Sequence, residues 1–182
     1  VRVIAGELRG RVLHAPEGLD TRPTSDRVRE SLFALLGDVI EGARVLDLYA
    51  GSGALGIEAL SRGAVFATFV ERESAARRVL ERNLADLSLG GRARVVAADA
   101  TTEPALRGGP FDVVLADPPY GEVDLSGVVR HAATALAPRG VLVLEHPARS
   151  PAPAAPETLA PWKARRYGGT ALTLWVREEE AG

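Results

Sequence analysis

The chain has 182 residues, 46% of them hydrophobic, with a mean hydropathy of +0.03, a net charge of −2 and a pI near 6.0. These values suit one globular domain and exclude the strongly basic footprint of a general nucleic-acid binder, so any contact with a nucleic acid has to be local. With no cysteine, and with His14, His131 and His146 well apart in sequence, disulfides, thiolate metal sites and a histidine cluster drop out, and metal-free chemistry is expected.

No apolar run reaches membrane-spanning length and no charged start leads into an apolar signal segment, which predicts a cytoplasmic protein. Residues 1–14 set Val1, Val3 and Val12 around Gly6 and Gly10 and predict a small β-hairpin carrying Arg2, Arg9 and Arg11. Pro16-Glu17-Gly18 breaks the chain. Thr24 or Ser25 then caps a helix whose apolar residues Val28, Leu32, Leu35 and Leu36 share one face, and Gly37 ends it. Its other face shows Arg27, Arg29 and Glu30. Residues 1–37 therefore read as a hairpin-and-helix extension of the same domain that continues through residues 38–182.

From Arg44 onward the pattern is strand, turn and helix, repeated. Residues 45–48 and 65–70 read as strands, with a helix at 54–61 between them and another at 74–87, which Gly90-Gly91 stops. A third strand at 94–98 and a fourth at 112–116 precede a helix at 125–136 and a fifth strand at 141–145. Residues 147–161, rich in proline and alanine, read as a surface loop. Residues 162–167 and 170–176, separated by Gly168-Gly169, form a terminal hairpin in which Trp162 and Trp175 are packing residues. This alternation predicts an α/β fold with a doubly wound, mostly parallel seven-stranded sheet and an antiparallel strand at its C-terminal edge.

Two stretches carry chemistry. Gly51-x-Gly53-x-x-Gly56, between a strand and a helix, is a nucleotide-binding fingerprint, and Glu71, about twenty residues on, is placed to take ribose hydroxyls. Both NAD and S-adenosylmethionine satisfy that pattern. Asp47, inside the first strand, suits a ligand carrying an ammonium and a sulfonium better than a pyrophosphate, and Asp99-Ala100 offers an acceptor and an N–H for an adenine amino edge. The second stretch is Asp117-Pro118-Pro119-Tyr120 after a buried strand. Each proline restricts the residue before it, so the Asp117 carboxylate and the Pro118 carbonyl form two fixed acceptors beside the Tyr120 ring. Two acceptors and an aromatic face fit an amino-bearing base, while a solvated strand terminator is the competing reading of these four residues alone.

The order Asp47, Gly51-Ser52-Gly53, Glu71, Asp99 and Asp117-Pro118-Pro119-Tyr120 resembles the amino-methylating group of class I methyltransferases, which have a Rossmann-like fold. Residues 22–33 (Arg-Pro-Thr-Ser-Asp-Arg-Val-Arg-Glu-Ser-Leu-Phe) and 46–56 (Leu-Asp-Leu-Tyr-Ala-Gly-Ser-Gly-Ala-Leu-Gly) look like the RsmD family, as do Arg2-Val3-Ile4-Ala5-Gly6 and Leu8-Arg9-Gly10-Arg11. The resemblance covers nearly the whole chain; residues 147–161 offer no motif to compare. It implies methyl transfer from S-adenosylmethionine to guanine N2 in 16S rRNA, in a folded or assembled small ribosomal subunit. On that basis Asp47, Gly51, Gly53, Glu71, Arg72, Asp99 and Ala100 border the cofactor, and Thr24 and Arg27 close over it. Asp117, Pro118, Pro119 and Tyr120 hold the target base, and Arg2, Arg9, Arg11, Arg22 and Arg29 are the candidate RNA contacts. The alternatives are methylation of DNA adenine N6 or of a protein glutamine amide, a ribosome-assembly RNA-binding module without the reaction, and an NAD-dependent dehydrogenase. The last leaves the Asp-Pro-Pro-Tyr stretch unexplained.

Overall fold

Strands that are apolar on both faces belong inside a parallel sheet, covered by helices on each side. The computed structural model, which describes residues 1–17, 26–121 and 123–179, puts residues 45–48 and 113–116 there. In chain order the elements are α1 (Asp26–Leu36), β1 (Arg44–Leu48), α2 (Ala54–Ser61), β2 (Phe66–Val70), α3 (Ser74–Asp86), β3 (Ala93–Val96), β4 (Phe111–Ala116), α4 (Leu125–Ala133), β5 (Leu136–Pro147), β6 (Leu159–Tyr167) and β7 (Thr170–Arg177). The strands form one seven-stranded sheet in the order β3-β2-β1-β4-β5-β7-β6, in which only β7 runs against the others. No helix of the described residues is long and apolar enough to cross a membrane.

Alternate residues of the central strands feed two cores. Val45, Val113, Leu115 and Val143 pack with Leu32, Phe33, Ile57 and Leu80 of α1, α2 and α3. Leu46, Val114 and Leu142 pack on the other face with Val129 and Ala132 of α4. The strand order reverses between β1 and β4, and the crevice at the carboxyl ends of those two strands is where open sheets of this kind bind ligands.

Three expectations change. The N-terminal segment doubles back, Val3 N–H donating to the Arg11 carbonyl at 2.9 Å, but Arg2 to Val12 is its one bridge. The segment is fastened to α2 from its outer side: Ile4 N–H donates to the Glu58 carboxylate at 2.8 Å and Leu8 N–H to Ser61 Oγ at 3.0 Å. Secondly, β5 starts at Leu136, which pairs with Phe111, so α4 ends earlier and Pro138-Arg139-Gly140 is absorbed as a register shift. Its far end reaches Pro147, leaving residues 148–158 as the connection to β6. Thirdly, Trp175 is buried, but Trp162 is exposed under the ammonium of Lys163, 4.2 Å from the ring centroid. It falls at the irregularity between Pro161 and Lys163, outside the paired register.

Candidate cofactor and substrate cleft

The loop between β1 and α2 is held from three sides. Gly53 has φ +89, and a Cβ there would lie 2.4 Å from Leu80 Cδ1, so the tight turn onto α2 requires glycine. Asn83 of α3, buried, donates to the Ser52 carbonyl at 2.9 Å and to the His14 carbonyl at 3.1 Å while accepting from His14 N–H. Glu71, just beyond β2, accepts from Gly51 N–H through Oε2 at 2.9 Å and from Glu73 N–H through Oε1 at 3.0 Å. The acid expected to face a ribose is therefore already oriented by the glycine loop.

Asp47 is placed differently from the expectation. It is buried inside β1 and accepts from Gly56 N–H at 3.0 Å, fastening the first turn of α2 to the strand. Burial pushes its carboxyl up to about 8; the Gly56 N–H opposes this, and the neighbouring charges of Asp117 and Glu71 add to it. Asp47 and Gly53 are buried, whereas Gly51 is half-buried with open space beside its Cα.

The cleft itself, of about 830 Å³, runs across the carboxyl ends of β2, β1 and β4. Glu71, Arg72, Asp99 and Ala100 line one part of it, and Asp117, Pro118, Pro119 and Tyr120 line the other. Asp99 accepts from Thr101 N–H at 2.8 Å and from the Thr101 hydroxyl at 2.6 Å, with Arg72 Nη1 3.5 Å from its other oxygen. The two Thr101 donors hold the Asp99 carboxyl below the usual carboxylate range, and Arg72 assists against slight desolvation. A second cavity of about 150 Å³ shares Pro118, Pro119 and Tyr120 and adds Glu145 and Arg149. Tyr120 is 38% exposed, and its phenol oxygen lies 3.2 Å from Thr170 Oγ1 at the start of β7.

Sequence reasoning missed Tyr49, Thr101 and Asn83. Tyr49 lies in the cleft wall with φ +62, a left-handed conformation that costs an L-residue roughly 1–2 kcal/mol and that concentrates at ligand sites. Burial pushes its phenol up, the Asp99 carboxylate adding to the effect and Arg72 opposing it. An aromatic residue at the end of a strand directly before a glycine loop was the available signal.

The arginines assigned to RNA are dispersed. Arg29 is 1% exposed, with its guanidinium on the Arg2 carbonyl, 3.2 Å from Asp26 and 3.8 Å from Glu58, so it is a structural cation and cannot be an RNA contact. Burial between α1 and α2, invisible in a helical wheel, is the reason. Arg2 and Arg11 are exposed but donate to the Gly10 and Asp86 carbonyls, and Arg9 is exposed. Residues 5–8 are bonded to Ser61, at the last turn of α2, and Asp86 is the last residue of α3. None of Arg2, Arg9 and Arg11 is among the residues that line the cleft. Arg27 is exposed, and Arg22 and Thr24 lie outside the described residues.

The profile of a family described as conserved hypothetical protein 95 matches residues 1–176. The chain is 38% identical to the ribosomal RNA small subunit methyltransferase D of Escherichia coli K12, over 99% of this chain and 91% of that protein. It is 38% identical to the putative rRNA methyltransferase YlbH of Bacillus subtilis 168, over 97% and 99%. Among solved structures, the putative methyltransferase yhhF from Escherichia coli superposes with a TM-score of 0.87 at 40% identity, covering 98% of both chains. Near full-length identity, together with the sheet order and the cleft built at its reversal point, makes this chain a member of the RsmD family of class I methyltransferases.

Proposed function

We propose that the protein transfers a methyl group from S-adenosylmethionine to the exocyclic N2 amine of a guanine in 16S rRNA of the small ribosomal subunit. The observation that carries this reading is that Asp117-Pro118-Pro119-Tyr120 shares one cleft with Glu71, Asp99 and Tyr49, in a chain whose named relatives are rRNA methyltransferases. The donor set fits the nucleoside half of the cofactor: carboxylates at Glu71 and Asp99 for hydroxyl and amino groups, and Val70, Ala98 and Ala100 as apolar wall. S-adenosylmethionine supplies a methyl carbon made electrophilic by its sulfonium.

The lone pair of a guanine N2 is delocalised into the ring, so the amine is a poor nucleophile. Asp117 and the Pro118 carbonyl, by accepting its two N–H bonds, favour the pyramidal nitrogen that can form the new N–C bond as the S–C bond breaks. The same carboxylate stabilises positive charge developing on the amine and stands ready to receive the proton released. Two prolines hold these acceptors in one geometry, which supplies the alignment on which the rate depends. Reaching the site requires extruding the base, and stacking on Tyr120 offsets part of a cost of a few kcal/mol.

The test is incubation with labelled S-adenosylmethionine and small subunits lacking the modification, followed by digestion to nucleosides. N2-methylguanosine is the expected product, and Asp117→Ala lowers turnover at least about a hundredfold with cofactor binding retained. When the assay is run in parallel with DNA, and with the proteins digested to amino acids, label in N6-methyladenine or in glutamine instead replaces the proposed substrate. Wild-type turnover in the Asp117 variant removes the acceptor role.

A further inference from the structure

The end of the C-terminal hairpin adjoins the target-base side of the cleft. Thr170, whose hydroxyl meets Tyr120, pairs with both Pro147 and Tyr167, and Ala148 N–H donates to the Gly169 carbonyl at 2.9 Å. The start of the 148–158 connection, the β6–β7 turn and the Asp-Pro-Pro-Tyr turn are thereby tied into one corner of the molecule. Three arginines stand on it. Arg149 lines the 150 Å³ cavity with Tyr120, and Arg165 and Arg166 are exposed near the end of the edge strand β6, Arg165 on the sheet face of Leu172 and Glu145 and Arg166 on the opposite face, in register with Ala171 and His146.

These cations differ from seven other arginines of the chain. Among the described residues, none of the three forms an ion pair, and the guanidinium of Arg165 donates to the adjacent Ala164 carbonyl at 2.8 Å. By contrast, Arg29, Arg62, Arg72, Arg82, Arg92, Arg130 and Arg139 each have a carboxylate within 4.0 Å. β6 is also the sheet edge, hydrogen-bonded only to β7, so its outer backbone groups are open to a ligand lying alongside. Glu145, the one carboxylate among the described residues lining the small cavity, is buried.

We infer that Arg149, Arg165 and Arg166 form a phosphate-gripping rim that holds the RNA backbone beside the base presented to Asp117 and Tyr120. The inference rests on RNA being the substrate. A chain of net charge −2 gains little from long-range attraction, so a polyanion has to be held by a local cluster, and this cluster borders the place where the base must enter. Planar guanidiniums suit phosphate oxygens through paired N–H donors, and the exposed positions allow them to follow an irregular backbone.

The experiment measures methylation of modification-deficient small subunits, and of 16S rRNA freed of protein, as a function of salt. It uses the wild type, the double variant Arg165→Glu/Arg166→Glu, and Arg149→Ala. The double variant raises KM for both substrates by about tenfold or more and flattens the dependence of log KM on log salt by about 0.7 per lost phosphate contact. Its kcat stays within about twofold, because no group in contact with the reacting atoms has changed. Arg149→Ala shifts KM and slope in the same direction by less. Unchanged affinity for S-adenosylmethionine in calorimetry shows that the variants are folded. An unchanged KM and slope overturns the inference, as does a rise in KM confined to assembled subunits, which would make the rim a contact for a ribosomal protein. If the wild type binds the cofactor yet methylates neither substrate, it is the RNA reading itself that has failed, and the rim falls with it.

Discussion

In the N-terminal segment, arginine serves the chain. Arg29 is enclosed between α1 and α2, where it joins the Arg2 carbonyl, Asp26 and Glu58, and Arg62 adds its guanidinium to the same carboxylate while lying 5.0 Å from the Phe33 ring. In the C-terminal hairpin, Arg165 and Arg166 have no carboxylate partner among the described residues and are exposed on β6, the partner of the strand whose Thr170 meets Tyr120. The residue type is the same; what differs is the dielectric and the presence of a partner. A buried guanidinium must be paired because desolvation is expensive, whereas an exposed one keeps its water and can exchange it for phosphate. Arginine content alone therefore does not locate an RNA-binding face.

That comparison breaks most sharply at Glu58. Replacing it with alanine leaves two cations short of their carboxylate and Ile4 N–H without its acceptor, and is expected to cost about 3–5 kcal/mol, or on the order of 10 °C in Tm. Calorimetric unfolding measures this, and KM for RNA under conditions where the variant remains folded should not change. A large rise in KM with little loss of stability would reverse the roles assigned to the two regions.

Buried against exposed charge can be tested a second way, at Asp47. Its carboxyl moves from an ordinary 3.8 to about 8, so the folded chain holds a proton that the unfolded chain releases across that interval. The stabilisation is complete below the lower value and is lost as pH rises through the upper one. Asp47→Asn, uncharged throughout, removes this contribution, reducing the fall in unfolding free energy by up to about 1.4 kcal/mol per pH unit between roughly pH 5 and 8. Denaturant titrations across that range measure it. A slope identical to wild type would place the Asp47 proton outside the folding linkage.

The smallest effect sharpens the comparison from the other side. Arg9→Ala/Arg11→Ala removes two exposed cations of the N-terminal segment, one of which donates to the Asp86 carbonyl. Stability is expected to change by no more than about 0.5 kcal/mol, as for ordinary surface positions, and KM for RNA by less than about twofold. A KM increase matching that of the hairpin variants would make the N-terminal segment a second RNA contact.

Much of the candidate site was legible because its signals are covalent and local. Two prolines restrict Asp117 and Pro118 whatever surrounds them, and Gly51-x-Gly53-x-x-Gly56 marks a turn that only small residues can make. Tyr49 and Asn83 were missed for a matching reason: the φ of +62 at the first, and the bonds of the second to Ser52 and His14, exist only once distant segments meet. Alternation in residues 1–14 carried no record of Glu58 and Ser61, whose side chains accept from Ile4 and Leu8 and dock the segment on α2.

By itself, the order of residues determined the seven strands and the acids at the carboxyl ends of several of them, since hydrophobic period and backbone restriction act over a few residues at a time. Only the tertiary structure decided which charges are enclosed and which are offered to a partner. Pairing and desolvation depend on neighbours far away in sequence, as Arg29 and Glu58 are in sealing one side of the molecule and Tyr120 and Thr170 are in joining the other.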